Sequence, residues 1–378
     1  MERSWHPAVN GSSTAFWVRV LVAVCTLLVA VWAVTSGDSG SPSDASRGAE
    51  LFRTKFTPEQ GLGPLFNERS CSGCHAFPKV GGMGRNGLAT VLRVGRLTDA
   101  GFDPLVGRGG PFGHSHAVSE LGVDCGREAG IPAGANVTSV RNSPQLFGSG
   151  LIDAIPDKAI RAGAVARGDG VRGRPNLVRG PDGRKRVGRF GWKANAATLE
   201  LFVASALRNE IGVTSLLAPA GSRPRGSNRC PGESNGPEID QDSVAALAAF
   251  VAELPPPQSR SSQQAGAVLF RETGCTACHL PALKAGRREV PLYSDLLLHD
   301  MGRALDDRVV QGVAGGSEWR TTPLWGLRDR TRLLHDGRAT SVEAAILSHG
   351  GEAKTARRRF HSLPAAQRRN LIEFLRSL

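Results

Sequence analysis

The chain has 378 residues, of which 40% are hydrophobic, 47 are Gly and 23 are Pro, and its formal net charge is +13. This composition excludes a coiled coil, a collagen-like rod and a protein with many membrane spans. It predicts a loop-rich globular protein of one or two domains. No DNA- or RNA-binding motif accompanies the positive charge, so we expect a basic surface and no nucleic-acid partner.

The first feature along the chain is an apolar run without charges at residues 20–34, VLVAVCTLLVAVWAV, which follows Arg3 and Arg19. A membrane-spanning helix needs about 20 apolar residues, whereas the core of an export signal needs about 7–15. We predict that residues 1–34 are a signal peptide, with a membrane anchor as the alternative, and that residues 35–46 are a linker. Both interpretations place the remainder outside the cytoplasm, in contact with the membrane only through this segment.

Four of the seven Cys form two copies of one pattern, Cys71-Ser-Gly-Cys74-His75 and Cys275-Thr-Ala-Cys278-His279. Cys-x-x-Cys-His is typical of c-type haem attachment, in which both thiols bond to the haem and the His binds its iron. A structural zinc site and a redox dithiol are the alternatives, but neither requires a His directly after each pair. The motifs therefore predict two covalently bound haem c groups.

Two further Cys, Cys125 and Cys230, lie outside these motifs and downstream of the apolar run. An oxidising compartment would allow a disulfide between them, and two separate buried thiols are the equal alternative.

A weak internal repeat accompanies the two motifs. The pattern G-A-x-L-F-R occurs at residues 48–53 and again at residues 266–271, each time ahead of a Cys-x-x-Cys-His motif. Apolar spacing predicts helices at residues 198–211, 243–254 and 365–378, and a Thr340-x-x-Glu343 capping box predicts another. We expect a mostly α fold of two cytochrome-c-like haem domains in tandem with long loops. The predicted domains are residues 47–255 and 265–378, joined by a linker at residues 256–264.

The first predicted domain contains a strongly basic insert. Residues 158–190 hold ten Lys or Arg against two Asp, with Gly and Pro throughout. This composition favours a solvated hairpin or loop, and docking of an acidic electron-transfer partner is the less favoured interpretation.

Several segments resemble the bacterial di-haem oxidoreductases, a family similar to the di-haem cytochrome c peroxidases. The segments are residues 141–144 (RNSP), 189–194 (RFGWKA), 293–302 (YSDLLLHDMG), 318–326 (EWRTTPLWG) and 334–339 (LHDGRA). The resemblance runs from about residue 47 to the end of the chain. It implies periplasmic redox chemistry, an electron donor or acceptor protein as partner, and a homodimer as one form of assembly.

The resemblance also implies a role for each haem, which depends on the sixth iron ligand. The second-motif haem is the electron carrier in the peroxidases, and its distal ligand follows a helix. His349 occupies that place where the relatives have Met, and Met301 is the rival ligand. We expect His299 and His335 to form hydrogen bonds rather than to bind iron.

For the first-motif haem, the relatives have either a removable His or an open pocket. His114 and His116 are the candidates for a ligand or an acid–base group, and Met83 is a weaker one. A peroxidase-type site needs a group that moves a proton between the peroxide oxygens, for which relatives use a carboxylate. Asp153 is the closest match by order, and helix capping is its alternative role. Either Trp192 or Trp325 could lie between the haems, or both could be core residues.

These observations predict an exported, peroxidase-like di-haem oxidoreductase. Electrons would pass from the low-spin second-motif haem to the reactive first-motif haem. The main alternative is an electron-transfer cytochrome with two six-coordinate irons and no substrate. A thiol oxidase is suggested by a label that some family members carry, but no extra Cys-x-x-Cys pair is left for it.

Overall fold

A computed structural model describes residues 1–2, 43–84, 89–180, 182–219, 229–231, 233–260 and 263–378. The apolar run at residues 20–34 and most of the linker lie outside these residues. In the part that is described, no helix has both the length and the apolarity to cross a membrane. The α-helices are α1 (Asp44–Arg53), α2 (Cys71–Cys74), α3 (Ser149–Asp153), α4 (Asp157–Ala162), α5 (Leu199–Ala206), α6 (Gln241–Glu253), α7 (Gln264–Glu272), α8 (Val342–Leu347), α9 (Lys354–Ser362) and α10 (Ala365–Ser377).

Each Cys-x-x-Cys-His motif follows a helix that crosses a later helix. Helix α1 packs on α6 ahead of the first motif, and α7 packs on α10 ahead of the second. The Gly of the G-A-x-L-F-R repeat lies at both crossings, where a Cβ on Gly48 would collide with the Ala246 carbonyl and one on Gly266 with the Asn370 carbonyl. The repeat therefore encodes the close approach of two helices, once in each half of the chain.

Short strands are more numerous than we expected. They are β1 (Leu65–Phe66), β2 (Thr90–Thr98), β3 (Gly101–Asp103), β4 (Phe112–Gly113), β5 (His116–Ala117), β6 (Val137–Asn142), β7 (Leu177–Arg179), β8 (Lys185–Val187), β9 (Leu283–Ala285), β10 (Arg288–Val290), β11 (Leu298–Asp300) and β12 (Glu318–Arg320). They pair into small antiparallel sheets, and in the largest one β2 pairs with β3, β4 and β6. The prediction of a mostly α fold is therefore confirmed only in part.

The helices foreseen from apolar spacing are present, with shifted ends. Asp240 caps α6 by accepting from the Ser243 N–H. Ser341, rather than Thr340, caps α8 by accepting from the Ala344 N–H. Helix α5 continues into one π-helical turn at Leu207–Ile211.

The basic segment at residues 158–190 contains the predicted hairpin, formed by β7 and β8. It is not a freely solvated insert, however. Arg174 forms a two-pronged ion pair with Glu318, with N···O distances of 2.6 and 2.5 Å, and Arg167 lies 3.2 Å from the buried Asp295 carboxylate. Both acidic partners belong to the second half of the chain, so the segment ties the two halves together. Residues Asp44–Leu378 form one compact unit.

Candidate haem sites

The larger cavity, of about 370 Å³, is built around the second Cys-x-x-Cys-His motif. Cys275, Cys278 and His279 line it, together with His349 at the end of α8. Phe270, the Phe of the repeat, lies with its ring centroid 6.5 Å from that of His279. The motif and the end of α8 therefore face one shared space.

The two His rings of this cavity are held in the same way. His279 Nδ1 is 2.9 Å from the Tyr293 carbonyl oxygen, and His349 Nδ1 is 2.7 Å from the Ala345 carbonyl oxygen. A carbonyl only accepts, so Nδ1–H donates in both rings and Nε2 keeps a free lone pair. Burial lowers the pKa of His279 to about 4 and also lowers the pKa of His349. Both rings are therefore neutral, as a metal-binding imidazole must be.

His299 is engaged on both ring nitrogens. Nε2 is 3.1 Å from Asp295 Oδ2, and Nδ1 is 2.8 Å from Glu352 Oε2. Burial acts to lower its pKa, but the hydrogen bonds, led by the one to Asp295, raise it to about 12. His299 therefore has no free nitrogen for iron, which agrees with the hydrogen-bonding role we expected. Met301 lines the same cavity as His349.

The His335 ring packs against another aromatic side chain of the protein. Its ring stacks on Trp319, with centroids 3.8 Å apart and planes 12° from parallel. The other groups near this indole are the Arg141 guanidinium at 4.5 Å and the Lys193 ammonium at 4.1 Å from the ring centroid. Four of the segments that carry the family resemblance thus meet in one buried cluster.

The smaller cavity, of about 160 Å³, surrounds the first motif. Cys71, Cys74 and His75 line it, and His75 Nδ1 is 3.0 Å from the Gly82 carbonyl oxygen, the same arrangement as in the larger cavity. Phe52 lies 6.4 Å from the His75 ring, matching Phe270 in the other half. Among the described residues that line this cavity, His75 is the only His, and Met is absent.

One part of the smaller cavity's wall is strongly polar. Arg93 on β2 and Arg141 on β6 reach it from paired strands, because Val91 is the register partner of Arg141 and Arg93 is two residues further on. The π-helical turn after α5 brings Asn209 and Glu210 into the same cavity. Single π-helical turns often occur at functional sites.

Besides Glu68, the smaller cavity is lined by a second acidic side chain that our sequence interpretation missed, that of Glu210. Its Oε2 accepts a hydrogen bond of 2.8 Å from Asn67 Nδ2, and burial raises its pKa. In the sequence, Glu210 is one polar residue near the end of an amphipathic helix. The helical period assigns it no particular direction, and only the π-helical turn aims it at the cavity.

Asp153 and His116 are not brought to either cavity. Asp153 Oδ1 accepts from the Leu199 N–H at 3.0 Å, so it caps α5 rather than the helix that follows it. His116 is exposed, with Nδ1 2.8 Å from Glu120 Oε2. Neither side chain lines either described cavity, so the structure gives no support to the acid–base roles that we predicted for Asp153 and His116.

The other two candidates, His114 and Met83, do not line the smaller cavity either. His114 is buried next to it, pairs through its backbone with Gly130, and does not line it. Burial lowers the pKa of His114 to about 4. Met83 lines the larger cavity instead.

Trp192 lines both cavities, and its Nε1–H donates to the Asn142 carbonyl at 2.8 Å. Trp325 lines only the larger one and belongs to the main hydrophobic core. Of the two Trp candidates for a position between the sites, the structure places Trp192 there.

The donor sets fit haem better than zinc or a redox dithiol. Burial raises the pKa values of Cys71 and Cys74 to about 12, so these thiols are neutral, unlike the reactive thiolate of a redox pair. No group of three or more His, Cys, Asp or Glu in the described chain could hold a metal ion. Two thiols beside an apolar cavity, with a neutral imidazole facing it, suit a macrocycle that carries its own iron.

Residues 135–378 match the family model described as "Di-haem oxidoreductase, putative peroxidase". The chain belongs to this family. The match includes the second Cys-x-x-Cys-His motif and begins after the first. This match confirms the resemblance that the sequence predicts. The protein is therefore a peroxidase-like di-haem oxidoreductase. No protein of curated function is similar enough to count as a match.

Three solved structures are similar over most of the chain. A hydrazine synthase structure from Kuenenia stuttgartiensis is 14% identical, with a TM-score of 0.40 over 90% of this chain and 94% of its own. A MauG-like protein associated with microbial copper homeostasis is 16% identical, with a TM-score of 0.42 over 91% and 90%. The diheme peroxidase BthA from Burkholderia thailandensis E264 is 16% identical, with a TM-score of 0.43 over 89% and 86%. Likenesses this weak carry no argument about the sites.

Proposed function

We propose that each cavity holds one covalently attached haem c. Cys71 and Cys74 would bond to the haem of the smaller cavity, and Cys275 and Cys278 to that of the larger one. His75 and His279 would bind the irons through Nε2, since Nδ1–H of each ring donates to a backbone carbonyl. A hydrogen bond at Nδ1 also fixes the ring orientation and raises the basicity of the ligand.

A single difference between the cavities supports the assignment of roles. The larger cavity has a second neutral His, His349, whose Nε2 is free, whereas His75 is the only such group among the described residues lining the smaller one. Two strong axial ligands produce a closed electron carrier, and one leaves an iron position open to a small ligand. The larger cavity is therefore the carrier site, with His349 favoured over Met301, and the smaller cavity is the reactive site.

In the smaller cavity, the bound haem would supply electrons to a small oxidant, for which hydrogen peroxide is our candidate. Glu210 would take a proton from one peroxide oxygen and return it to the other. Its Oε2 is held by Asn67, which leaves Oε1 for this transfer. Reduction of one peroxide to two waters consumes two electrons and two protons, so the site also needs an electron supply.

Trp192 offers the path for those electrons, because its indole forms part of the wall of both cavities. We propose that electrons enter at the larger cavity from a donor protein and pass Trp192 to the smaller one. The basic hairpin β7–β8 is the surface we propose for an acidic donor. Assembly as a homodimer remains a further proposal from the family resemblance.

The disulfide between Cys125 and Cys230 supports an exported location, since such links persist in oxidising compartments. This link corresponds to the first of the two alternatives for Cys125 and Cys230, a disulfide rather than two separate thiols. Together with the apolar run at residues 20–34, it favours the periplasm.

The proposal is tested by counting haems and reading their spin states. A pyridine haemochrome assay should return two haem c per chain. Electron paramagnetic resonance of the oxidised and half-reduced protein should show one low-spin iron and, in at least one state, one high-spin iron that peroxide changes. Two low-spin irons in both states would instead establish the electron-transfer cytochrome, and one haem per chain would reject the two-haem arrangement.

A further inference from the structure

Two buried arginines line the larger cavity without a counter-charge. Arg320 is 9% exposed and Arg330 is partly buried, and both are among the lining residues. Burial lowers the pKa of each to about 10, and at Arg330 the positive charge of Arg320 is a smaller cause of the same shift. The two guanidinium groups are therefore close enough to repel each other.

Their hydrogen bonds reach only neutral backbone carbonyls. Arg320 donates through Nε to the Gly191 carbonyl at 2.9 Å. Arg330 donates through one terminal nitrogen to the carbonyls of Pro323 at 2.9 Å and Trp325 at 2.7 Å. Its Nε is buried and lacks a hydrogen-bond partner among the described atoms. No acidic side chain of the described chain contributes to the pKa of either residue.

Three other buried cations of this protein have a carboxylate partner. Arg141 and Lys193 share the Asp307 carboxylate, and Arg189 is paired with Asp157. Two desolvated charges of the same sign, left without an anion, would be strongly destabilising. The pair therefore indicates that an anion belongs between or beside the two guanidinium groups, on the side of the cavity.

We propose that Arg320 and Arg330 bind the two propionate carboxylates of the haem in the larger cavity. This inference rests on the proposed function, which puts a haem there. A guanidinium fork matches a carboxylate with two parallel N–H···O bonds, so two arginines suit a ligand with two carboxylates. Their positive charges would also favour the reduced over the oxidised iron, which carries one charge more.

The test uses the full-length holoprotein and its Arg320→Gln and Arg330→Gln variants. The control is Arg328→Gln, in the same segment, because Arg328 is paired with Asp329 and does not line the cavity. Spectroelectrochemical titration of the low-spin haem measures its reduction potential. We expect each Gln variant to shift the equilibrium between ferric and ferrous haem about tenfold toward the ferric form. For a one-electron couple, this lowers the reduction potential by about 59 mV. Arg330→Lys keeps the charge and should recover most of the shift.

Each outcome either supports or overturns the proposal that Arg320 and Arg330 bind the propionates. A potential that falls in both Gln variants, stays unchanged in Arg328→Gln and recovers in Arg330→Lys supports the proposal. Equal potentials in all variants, with two haems present, overturn it and leave the proposed function standing. A wild-type potential that responds saturably to added acetate or phosphate, and loses this response in Arg330→Gln, shows that the pair binds free anions and also overturns it. A wild-type chain without the second haem overturns both proposals.

Discussion

The disulfide between Cys125 and Cys230 closes a loop with a sequence separation of 105 residues. Two contacts lie beside it: the Cys230 N–H donates to Glu233 Oε2 at 2.6 Å, and Glu233 Oε1 is 3.6 Å from Arg127 Nη1. The closed loop includes Trp192 and Glu210. Replacing both Cys by Ser should therefore loosen the part of the chain that forms much of the reactive cavity.

The expected loss of folding stability follows from the length of the closed loop. In the chain-entropy description, cross-linking over 105 residues removes enough freedom from the unfolded chain to stabilise the fold by about 4.8 kcal/mol. The unit Asp44–Leu378 should unfold with an entropy of about 0.7 kcal/mol/K near its midpoint. The loss of the disulfide then lowers the melting temperature by about 7 °C.

The assay is differential scanning calorimetry of the wild type and the double Cys125→Ser, Cys230→Ser variant, both with full haem content. Lys158→Ala, an exposed change within the closed loop, is the control and should change the free energy of unfolding by no more than about 0.5 kcal/mol. A drop of less than about 2 °C in the double variant would refute the reasoning, because it would mean that the unfolded chain gains little freedom when the link is absent.

Three further changes test the sites. His349→Ala should convert one iron from low to high spin in the ferric paramagnetic resonance spectrum, and an unchanged spectrum would exclude His349 as the ligand. Glu210→Gln should lower kcat/KM for peroxide by about 10²–10⁴, whereas Asp153→Asn should leave it unchanged. Since burial raises the pKa of Glu210 and the carboxylate must be ionised to accept a proton, wild-type activity should fall as the pH falls through that raised value. This acidic limb should be absent in Glu210→Gln. Trp192→Phe should slow oxidation of the low-spin haem by peroxide in stopped-flow experiments, and equal slowing in Trp325→Phe would contradict the assigned path.

The elements that sequence reasoning could predict are those with a local chemical signature. The two Cys-x-x-Cys-His motifs, the repeated Gly at the helix crossings and the position of His349 after a capped helix are all readable from neighbouring residues. Short strands such as β4 and β9 were missed because two or three residues cannot show an alternating pattern. The exact caps of α6 and α8 shifted because Asp, Ser and Thr stand side by side and can each cap a helix.

The groups that make up the sites beyond the motifs depend on tertiary structure. Asp153 had the expected order in the chain, but its carboxylate is used by the N-terminus of α5. Glu210 enters the cavity only through a π-helical turn, for which the sequence carries no signal. Arg320 and Arg330 stand out because no acidic side chain of the described chain affects their pKa values. Which charges lie near them is decided by the fold and cannot be read from the sequence.

The ion pairs of Arg167 with Asp295 and of Arg174 with Glu318 have a consequence for engineering. A chimaera that grafts the second half of a relative onto residues 44–260 would leave these arginines facing foreign side chains. Asp295 is fully buried and is paired with both Arg167 and His299, so a mismatch there removes one of its two cationic partners in a site away from water. The two haem-binding halves are thus poor candidates for exchange as independent modules, and a successful swap would have to carry residues 167–174 along with the second half.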